Sequence, residues 1–411
     1  MIAEWRFDVL RTEEMLMTVS RRNLMGAGAA AAFATGAPAA TVPPIYQRLG
    51  VRPIINAVGT LTTLSGSLML PEVKRAMEDA SRSFVRIHEL QEKAGRKLAE
   101  LTGAEAAFVT AGASAALCLA TCAITAGKDR ARINQLPDLT GMRSEIVIQK
   151  AHRNSYDHAF RMVGVKLVEV TTADDVRHAI NDKTAALAMV LSHNSLGHEI
   201  ELGEMISLAH AAKLPLILDA AAEIPPAENL KKFVAMGVDL VAFSGGKNLR
   251  GPQCSGILMG RRDLVEAAYV NSAPNNHFAR IAKVGKEEIV GLLVAVELAL
   301  QRDEEKQRRE WTTMLNRVAE RLKKVPTVST EFIPNLDYSH SPRLSVQWDE
   351  RQLKVTLEQM VQRLREGTPS IEASDMTKFR PAWKGLGIFP YNLQPGEEMI
   401  VANRVAEILT S

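Results

Sequence analysis

Short apolar runs alternate with helical patterns along most of this chain, and this alternation limits the possible folds more than any other feature. Seven runs have the length of a strand: Ala106–Thr110, Glu145–Gln149, Lys166–Val170, Ala185–Leu191, Pro215–Asp219, Leu240–Ser244 and Gly256–Gly260. Amphipathic stretches separate several of them, at Ser114–Thr125, Ala173–Ile180 and Met205–Ala212. Strands without a polar face need cover on both sides, which intervening helices supply in a parallel sheet. The sequence therefore predicts an α/β protein built on a seven-stranded, mostly parallel sheet.

The C-terminal part has a different pattern. A long helical pattern runs from Glu287 to about Lys324 and is followed by the strand-like "RLSVQWD". A helix from about Gln352 to Arg365, the segments "PSIEAS" and "LGIFPYNL", and a last helix opening at Pro395 complete the chain. These shorter elements predict a smaller α+β domain. We expect a leader over residues 1–40, an N-terminal segment over 41–70, a large domain over 71–300 and a small domain over 301–411.

The first forty residues look like an export signal. Ser20-Arg21-Arg22 precedes a run of small and apolar residues that closes on Ala37-Pro38-Ala39. This resembles a twin-arginine signal with its cleavage site. The run from Gly26 to Ala40 is too short to span a bilayer, so we expect no stable membrane insertion. The prediction is export to the periplasm, with the cytoplasm as the alternative.

Charge and cysteine usage exclude several classes of partner. The net charge is +3, with basic and acidic residues interspersed, which gives no reason to expect a nucleic acid. The three cysteines form no CxxC pair, and the His193 and His198 pair has no third ligand at a suitable spacing. We expect no metal site.

Ligands of open α/β sheets bind beyond the carboxyl ends of the strands, so the residues that follow each run were compared. "AGASAAL" follows the first run, and His152 follows the second by three residues. Asp219 ends an apolar run, whereas Ser244 ends another and stands three residues before Lys247. Taken singly, these are a tight turn, a loop histidine and a loop cation. Together they supply an anion site at a helix N-terminus, a buried carboxylate and an amine, which is the set that pyridoxal 5'-phosphate needs.

Several longer segments support this interpretation by resemblance. They are "INAVGTLTTLSGSLMLPEV", "TGAEAAFVTAGASAAL", "LILDAAAEIPP", "FSGGKNLRGPQCSG", "KVGKEEIVGLL" and "PGEEMIVANRVAEIL". In this order they resemble the fold type I pyridoxal-phosphate enzymes of the branch that includes selenocysteine synthase and D-glucosaminate-6-phosphate ammonia-lyase. The resemblance covers roughly Pro44 to the C-terminus.

The resemblance implies a role for each matching residue. Lys247 would carry the cofactor covalently, Asp219 would hold its ring nitrogen protonated, and His152 and Ala221 would pack on the two ring faces. Gly245 and Gly246 would clear space for Lys247 to reach the cofactor. Further cofactor contacts are implied for the following residues: Ala111, Gly112, Ala113, Ser114, Asn194 and Ser244. Arg343 would bind the substrate carboxylate, and Arg250 and Arg280 are further candidates for acidic groups. The resemblance also implies a homodimer or higher homo-oligomer.

Three functions fit these residues. The first is a lyase that removes the α-proton of a small hydroxylated amino acid, expels the β-hydroxyl and releases ammonia and a 2-oxo acid. The second is a transferase acting on seryl-tRNA, which the low charge and the leader-like first forty residues disfavour. The third is a non-catalytic cofactor-binding protein, against which Lys247 and Asp219 argue. Racemisation, transamination and retro-aldol cleavage use the same carbanion and stay open, and His152 and His277 are candidates for the leaving-group acid.

Overall fold

A computed structural model of the chain describes residues 43–191, 200–333, 335, 338–380 and 382–411. The predicted leader and Asn194, His193 and His198 lie outside these residues. The predicted division of the chain at residues 40, 70 and 300 stays a prediction.

Within the described residues, seven strands form the large sheet, in the order β2-β8-β7-β6-β5-β3-β4. The strands of this sheet are β2 (Ala106–Thr110), β3 (Glu145–Gln149), β4 (Lys166–Val170), β5 (Thr184–Val190), β6 (Leu216–Asp219), β7 (Leu240–Ser244) and β8 (Gly256–Gly260). Only β8 runs antiparallel to its two neighbours. The predicted fold class is confirmed, and the predicted strand bounds agree to within one residue.

Alternate side chains of this sheet enter two different cores. In β6, Leu216 and Leu218 pack on one face and Ile217 on the other. In β5, Leu187 and Met189 share the first face, and the opposite face carries alanines that leave room for a close helix. That helix is α4 (Ala113–Thr125), which contacts β5, β6, β7 and β8. Its path beneath the middle strands brings its N-terminus to the carboxyl edge of the sheet.

Helices cover both faces of the sheet and continue into the C-terminal part. Besides α4 they are α1 (Pro44–Leu49), α2 (Pro71–Ser81), α3 (Ile87–Thr102), α5 (Arg130–Gln135), α6 (His158–Arg161), α7 (Ala173–Ala179), α8 (Leu202–Ala211), α9 (Asn229–Ala235), α10 (Arg262–Asn271), α11 (Lys286–Gln301), α12 (Glu304–Leu322), α13 (Glu350–Leu353), α14 (Leu357–Glu366) and α15 (Glu397–Thr410). No helix among the described residues is long and apolar enough to cross a membrane.

Two patterns that we interpreted as single helices are each interrupted. The Glu287–Lys324 pattern is α11 and α12, because the Asp303 side chain accepts a hydrogen bond from Lys306 N at 2.8 Å and caps a new helix. The Gln352–Arg365 pattern is α13 and α14, separated at Lys354, whose φ is 53°. Thr356 then caps α14. Hydrophobic periodicity continues across both breaks, whereas the capping residues determine where each helix ends and the next begins.

In the described stretches of the C-terminal part, four strands form a separate antiparallel sheet, in the order β12-β13-β10-β9. Its strands are β9 (Ser329–Ile333), β10 (Arg343–Gln347), β12 (Ser374–Asp375) and β13 (Leu386–Ile388). A separate parallel pair joins β1 (Ile54–Asn56) to β11 (Ser370–Glu372). The N-terminal segment therefore packs into the core of the C-terminal part, although it lies more than 300 residues away in sequence.

Candidate active site

Lys247 stands at the mouth of β7 in a loop that is held from several sides. The Ser67 hydroxyl donates to the carbonyl oxygen of Lys247 at 2.6 Å, and Gly245 N donates to Ser255 O at 2.8 Å. The side chain is half-buried and faces a cleft of about 230 Å³. Burial lowers the pKa of the Lys247 amine, and the nearby carboxyl groups of Asp219 and Glu223 oppose this shift.

The two glycines before Lys247 have a different role from the one we predicted. A Cβ at Gly246 would lie 2.7 Å from Gln253 Cα, and one at Gly245 would collide with the Ser255 hydroxyl. The space beside both residues is therefore filled by the chain itself. The glycines allow the lysine loop to pack directly on the turn that leads into β8, which fixes the position of Lys247.

The buried carboxylate and histidine lie along neighbouring strand ends. Asp219 ends β6 and pairs in register with Val190 of β5, and its Oδ1 accepts from Ala221 N at 3.0 Å. His152, in the 3-10 turn after β3, is fully buried, and its Nδ1 accepts from Val190 N at 3.3 Å. Because Nδ1 is an acceptor, the ring proton sits on Nε2 in the neutral form. The parallel register thus brings His152 and Asp219 to one edge.

The predicted anion-binding turn at Ala111–Ser114 lies at the same edge of the sheet. Gly112 is the N-cap of α4, with φ 112°, and no side chain caps the helix. Gly256 of β8 allows this turn to come close, since a Cβ there would lie 2.5 Å from Gly112 C and 2.8 Å from Ala113 N. Among the described residues, the first N–H groups of α4 therefore have no side-chain partner, and they point beyond the strand ends. Ser244 ends the neighbouring β7.

Glu223 is a site residue that our sequence analysis missed. It is 3% exposed, lies four residues after Asp219 and lines the cleft with Lys247. Burial and the Asp219 charge raise its pKa to about 7, against the opposing effect of Lys247, Arg343 and Arg380. Its sequence signal was a second acid, four residues after Asp219, in the otherwise small and apolar stretch "LDAAAEIPP".

The opposite side of the cleft comes from the C-terminal part. Arg343 opens β10, is 6% exposed, and donates from Nη2 to the Ser339 hydroxyl at 3.3 Å. Arg380 is also buried, and both guanidinium groups lie against the Trp383 ring, at 5.6 and 5.3 Å from its centroid. Burial raises the pKa of Tyr391, which Arg343 partly offsets. We predicted only Arg343 of these residues.

The N-terminal segment closes the third side. Val58, Gly59, Thr60 and Leu61 line the cleft. Asn392 Nδ2 donates to Gly59 O at 3.0 Å and to Gly66 O at 2.9 Å, and Phe389 N donates to Ala57 O at 2.9 Å. The segment therefore links the lysine loop, through Ser67, to the C-terminal part.

Two predicted substrate residues lie outside the cleft lining. Arg250 Nε donates to Leu68 O at 2.9 Å, and burial lowers its pKa. Arg280 lies in the turn after His277, whose Nδ1 contacts Val270 O at 2.7 Å. No cluster of metal-binding side chains occurs in the described part of the chain. The individual roles assigned to the site residues stay predictions.

The seven-stranded sheet, the antiparallel C-terminal sheet and the lysine and aspartate beyond the strand ends define a fold type I pyridoxal-phosphate enzyme. The family described as "SelA: L-seryl-tRNA selenium transferase" matches residues 54–347. The chain belongs to this family, whose members are enzymes.

Similar proteins refine this placement. D-glucosaminate-6-phosphate ammonia lyase from Salmonella typhimurium is 39% identical over 265 residues, or 62% of this chain and 70% of the relative. A 5'-C-glycyluridine monooxygenase-decarboxylase from a Streptomyces species is 35% identical over 89% of this chain and 92% of its own length. A solved D-glucosaminate-6-phosphate ammonia-lyase structure superposes with a TM-score of 0.77 at 33% identity, covering 89% of this chain and 98% of that one.

Proposed function

We propose that this chain is a pyridoxal-phosphate-dependent lyase acting on a small hydroxylated amino acid, with ammonia and a 2-oxo acid as products. The observation that carries the proposal is one cleft that contains an amine, a carboxyl group and a buried arginine: Lys247, Glu223 and Arg343. The likeness to an ammonia lyase in sequence and in fold supports the class of reaction.

The residues present fit the cofactor. The N-terminus of α4 is uncapped and close to the strand ends, as the phosphate requires. Lys247 is an amine whose pKa is lowered, which favours the neutral form that reacts with an aldehyde. Asp219 is a buried carboxylate close enough to Lys247 to influence its charge, as a partner for the ring nitrogen must be. In this proposal Ser244 and the turn from Ala111 to Ser114 hold the phosphate, and His152 and Ala221 contact the ring.

Bound there, pyridoxal phosphate would supply an electron sink for the charge left when the α-proton departs. The chain's own residues do the remaining work. Arg343 binds the substrate carboxylate through parallel N–H donors, and its Nη1 is buried without a hydrogen-bond partner among the described residues. Lys247, facing the same cleft, accepts the α-proton. Asp219 supplies the negative charge that keeps the ring nitrogen protonated.

Oxidative decarboxylation is a second candidate, because the Streptomyces relative matches over the larger share of both chains. The two functions differ in oxygen consumption and carbon dioxide release. A lyase consumes no oxygen and releases no carbon dioxide, whereas a monooxygenase-decarboxylase does both. Transfer to seryl-tRNA is less favoured, because a net charge of +3 gives no reason to expect a nucleic acid as a partner.

The proposed function is tested by screening purified protein against D- and L-hydroxy amino acids. Ammonia and 2-oxo acid should appear in equal amounts, with no oxygen uptake and no added keto acid. Lys247→Ala should lose this activity and the visible absorption of the bound cofactor. Dependence on a keto acid would indicate transamination, and oxygen uptake would indicate the second candidate.

Assembly and location belong to the same proposal. Phe84 is fully exposed and Ile281 is 80% exposed, and large apolar side chains in such positions favour a homo-oligomer. Sedimentation of the purified protein tests this, and a monomer would contradict it. For export, the Arg21 and Arg22 pair is the relevant feature. Replacing both by Lys should retain the precursor inside the cell.

A further inference from the structure

We propose that Glu223 is the acid that protonates the departing β-oxygen of the substrate. The proposal rests on the lyase function above and assigns the leaving-group acid, which that function requires. Glu223 lines the same cleft as Lys247 and Arg343. A substrate whose carboxylate is held at Arg343 and whose α-proton faces Lys247 places its β-substituent within the part of the cleft that Glu223 borders.

The backbone around Glu223 is fixed on both sides. Asn229 Nδ2 donates to Glu223 O at 2.6 Å and also to Tyr338 O at 2.8 Å. Asn248, the residue after Lys247, donates from Nδ2 to Ile224 O at 2.9 Å. These hydrogen bonds fix the backbone of Glu223 relative to that of Lys247. The bond from Asn229 to Tyr338 O also joins Glu223 to the segment that leads to Arg343.

The side chain is also in the protonation state that an acid needs. The groups that face it are Lys247, Asp219, Arg343 and Arg380, and burial outweighs the three cations enough to leave its pKa at about 7. At neutral pH about half of the carboxyl groups carry a proton. Tyr391 also lines the cleft, but burial raises the pKa of its hydroxyl, which makes it a weaker proton donor.

The proposed step balances without an oxidant or reductant. Lys247 takes the α-proton, the Cα–H electrons form the Cα–Cβ double bond, and the Cβ–O bond breaks with its electrons on oxygen. The Glu223 proton passes to that oxygen, so that water departs and Glu223 is left as a carboxylate. The unsaturated amine rearranges to the imine, which takes up water and splits into ammonia and the 2-oxo acid. Lys247 releases its proton to solvent, and solvent reprotonates Glu223.

The test compares two leaving groups in Glu223→Gln. Chloride departs without a proton, whereas hydroxide does not, so serine and β-chloroalanine, in both stereoisomers, are the probes. For serine we expect kcat to fall on the order of 10²- to 10⁴-fold, the range of general acid catalysis. For β-chloroalanine we expect kcat within about threefold of the unmodified enzyme, since no proton is transferred to chloride. In the unmodified enzyme, kcat/KM for serine should fall as pH rises through about 7, and kcat/KM for β-chloroalanine should lack that limb.

Two controls and one independent measurement accompany this comparison. Glu398→Gln removes a buried carboxyl that pairs with Arg317 at 3.1 Å outside the cleft, and should leave the ratio of the two rates unchanged. Tyr391→Phe should not reproduce the loss for serine. Without any substrate, difference infrared spectra should show a protonated carboxyl band that disappears near pH 7 and is absent from Glu223→Gln.

The outcomes separate the two proposals. Equal slowing of both probes, or a serine-specific loss in Tyr391→Phe instead, overturns the role of Glu223 and leaves the lyase intact. An unmodified enzyme that releases ammonia from no hydroxy amino acid overturns the lyase, and with it the acid. A carboxyl band that disappears near pH 4 also overturns the acid, whatever the activity.

Discussion

The two sides of the cleft are built in different ways. The sheet wall consists of Glu223 and Lys247 in the cleft lining, together with Asp219 and His152 at the neighbouring strand ends. All four stand within four residues of the carboxyl ends of parallel strands. The C-terminal wall, formed by Arg343, Arg380, Trp383 and Tyr391, draws three of its four members from segments outside strands and α-helices. One wall is therefore positioned by strand register, and the other by long-range packing.

The two walls also differ in charge. The sheet wall combines two acids with a lysine whose pKa is lowered by burial. The C-terminal wall holds two arginines on one indole ring. We infer that proton transfer belongs to the first wall and anion recognition to the second. Substitutions in the sheet wall should act mainly on kcat, and those in the C-terminal wall mainly on KM.

Among the four further substitutions that compare the walls, the largest effect is expected for Asp219→Asn in the sheet wall. The amide keeps the shape and removes the charge, so kcat should fall on the order of 10²- to 10³-fold, as when one electrostatic contact to the reacting group is lost. Bound cofactor, measured by its absorption, should remain. Asp239→Asn is the matched control, because Asp239 is a buried acid just before β7 at the opposite edge, paired with Arg261 at 3.1 Å. Near-normal turnover in Asp219→Asn would contradict the division of roles.

Arg343→Lys should show the converse behaviour. Lysine cannot form the two parallel hydrogen bonds, and a charged hydrogen bond contributes about 1.5–3 kcal/mol, which corresponds to a rise in KM of roughly 10- to 100-fold. The cofactor spectrum and the α-proton exchange rate at saturating substrate should change little. Arg317→Lys, which lies on α12 and pairs with Glu398, controls for a surface arginine. A fall in kcat with KM unchanged would place Arg343 in the chemistry instead.

Gly256→Ala tests the close packing of β8 against the predicted anion-binding turn. Its Cβ would lie 2.5 Å from Gly112 C, in backbone that cannot yield easily. Overpacking of this kind costs about 1–3 kcal/mol, so cofactor affinity should fall on the order of tenfold, with a lower free energy of unfolding. Cofactor titration and urea unfolding measure the two effects. Gly203→Ala on α8, where no atom lies within 4 Å, should preserve both or stabilise slightly.

The smallest effect is expected for Asn392→Ala, which loosens the contact between the C-terminal part and the N-terminal segment. The change removes the hydrogen bonds to Gly59 O and Gly66 O. A net loss of about 1 kcal/mol in unfolding free energy is expected, with a modest rise in KM, because the N-terminal segment lines the cleft. A change in kcat as large as that of Asp219→Asn would show that the two walls are not separable.

The sequence by itself determined the sheet and much of the sheet wall. Seven apolar runs predicted the strands, and Asp219, Lys247 and His152 could be selected because a side chain that follows a parallel strand must lie at the carboxyl edge. The helix breaks at Asp303 and Lys354 escaped prediction, since hydrophobic period continues through a cap.

Only the tertiary structure decided the rest of the site. Three features join residues far apart in sequence, and no local pattern records them. They are the parallel pairing of β1 with β11, the hydrogen bonds of Phe389 and Asn392 to the N-terminal segment, and the packing of Arg343 and Arg380 on Trp383. The same holds for Glu223. Its acidity depends on burial beside Asp219 and on three cations from distant segments, so its chemistry exists only in the folded chain.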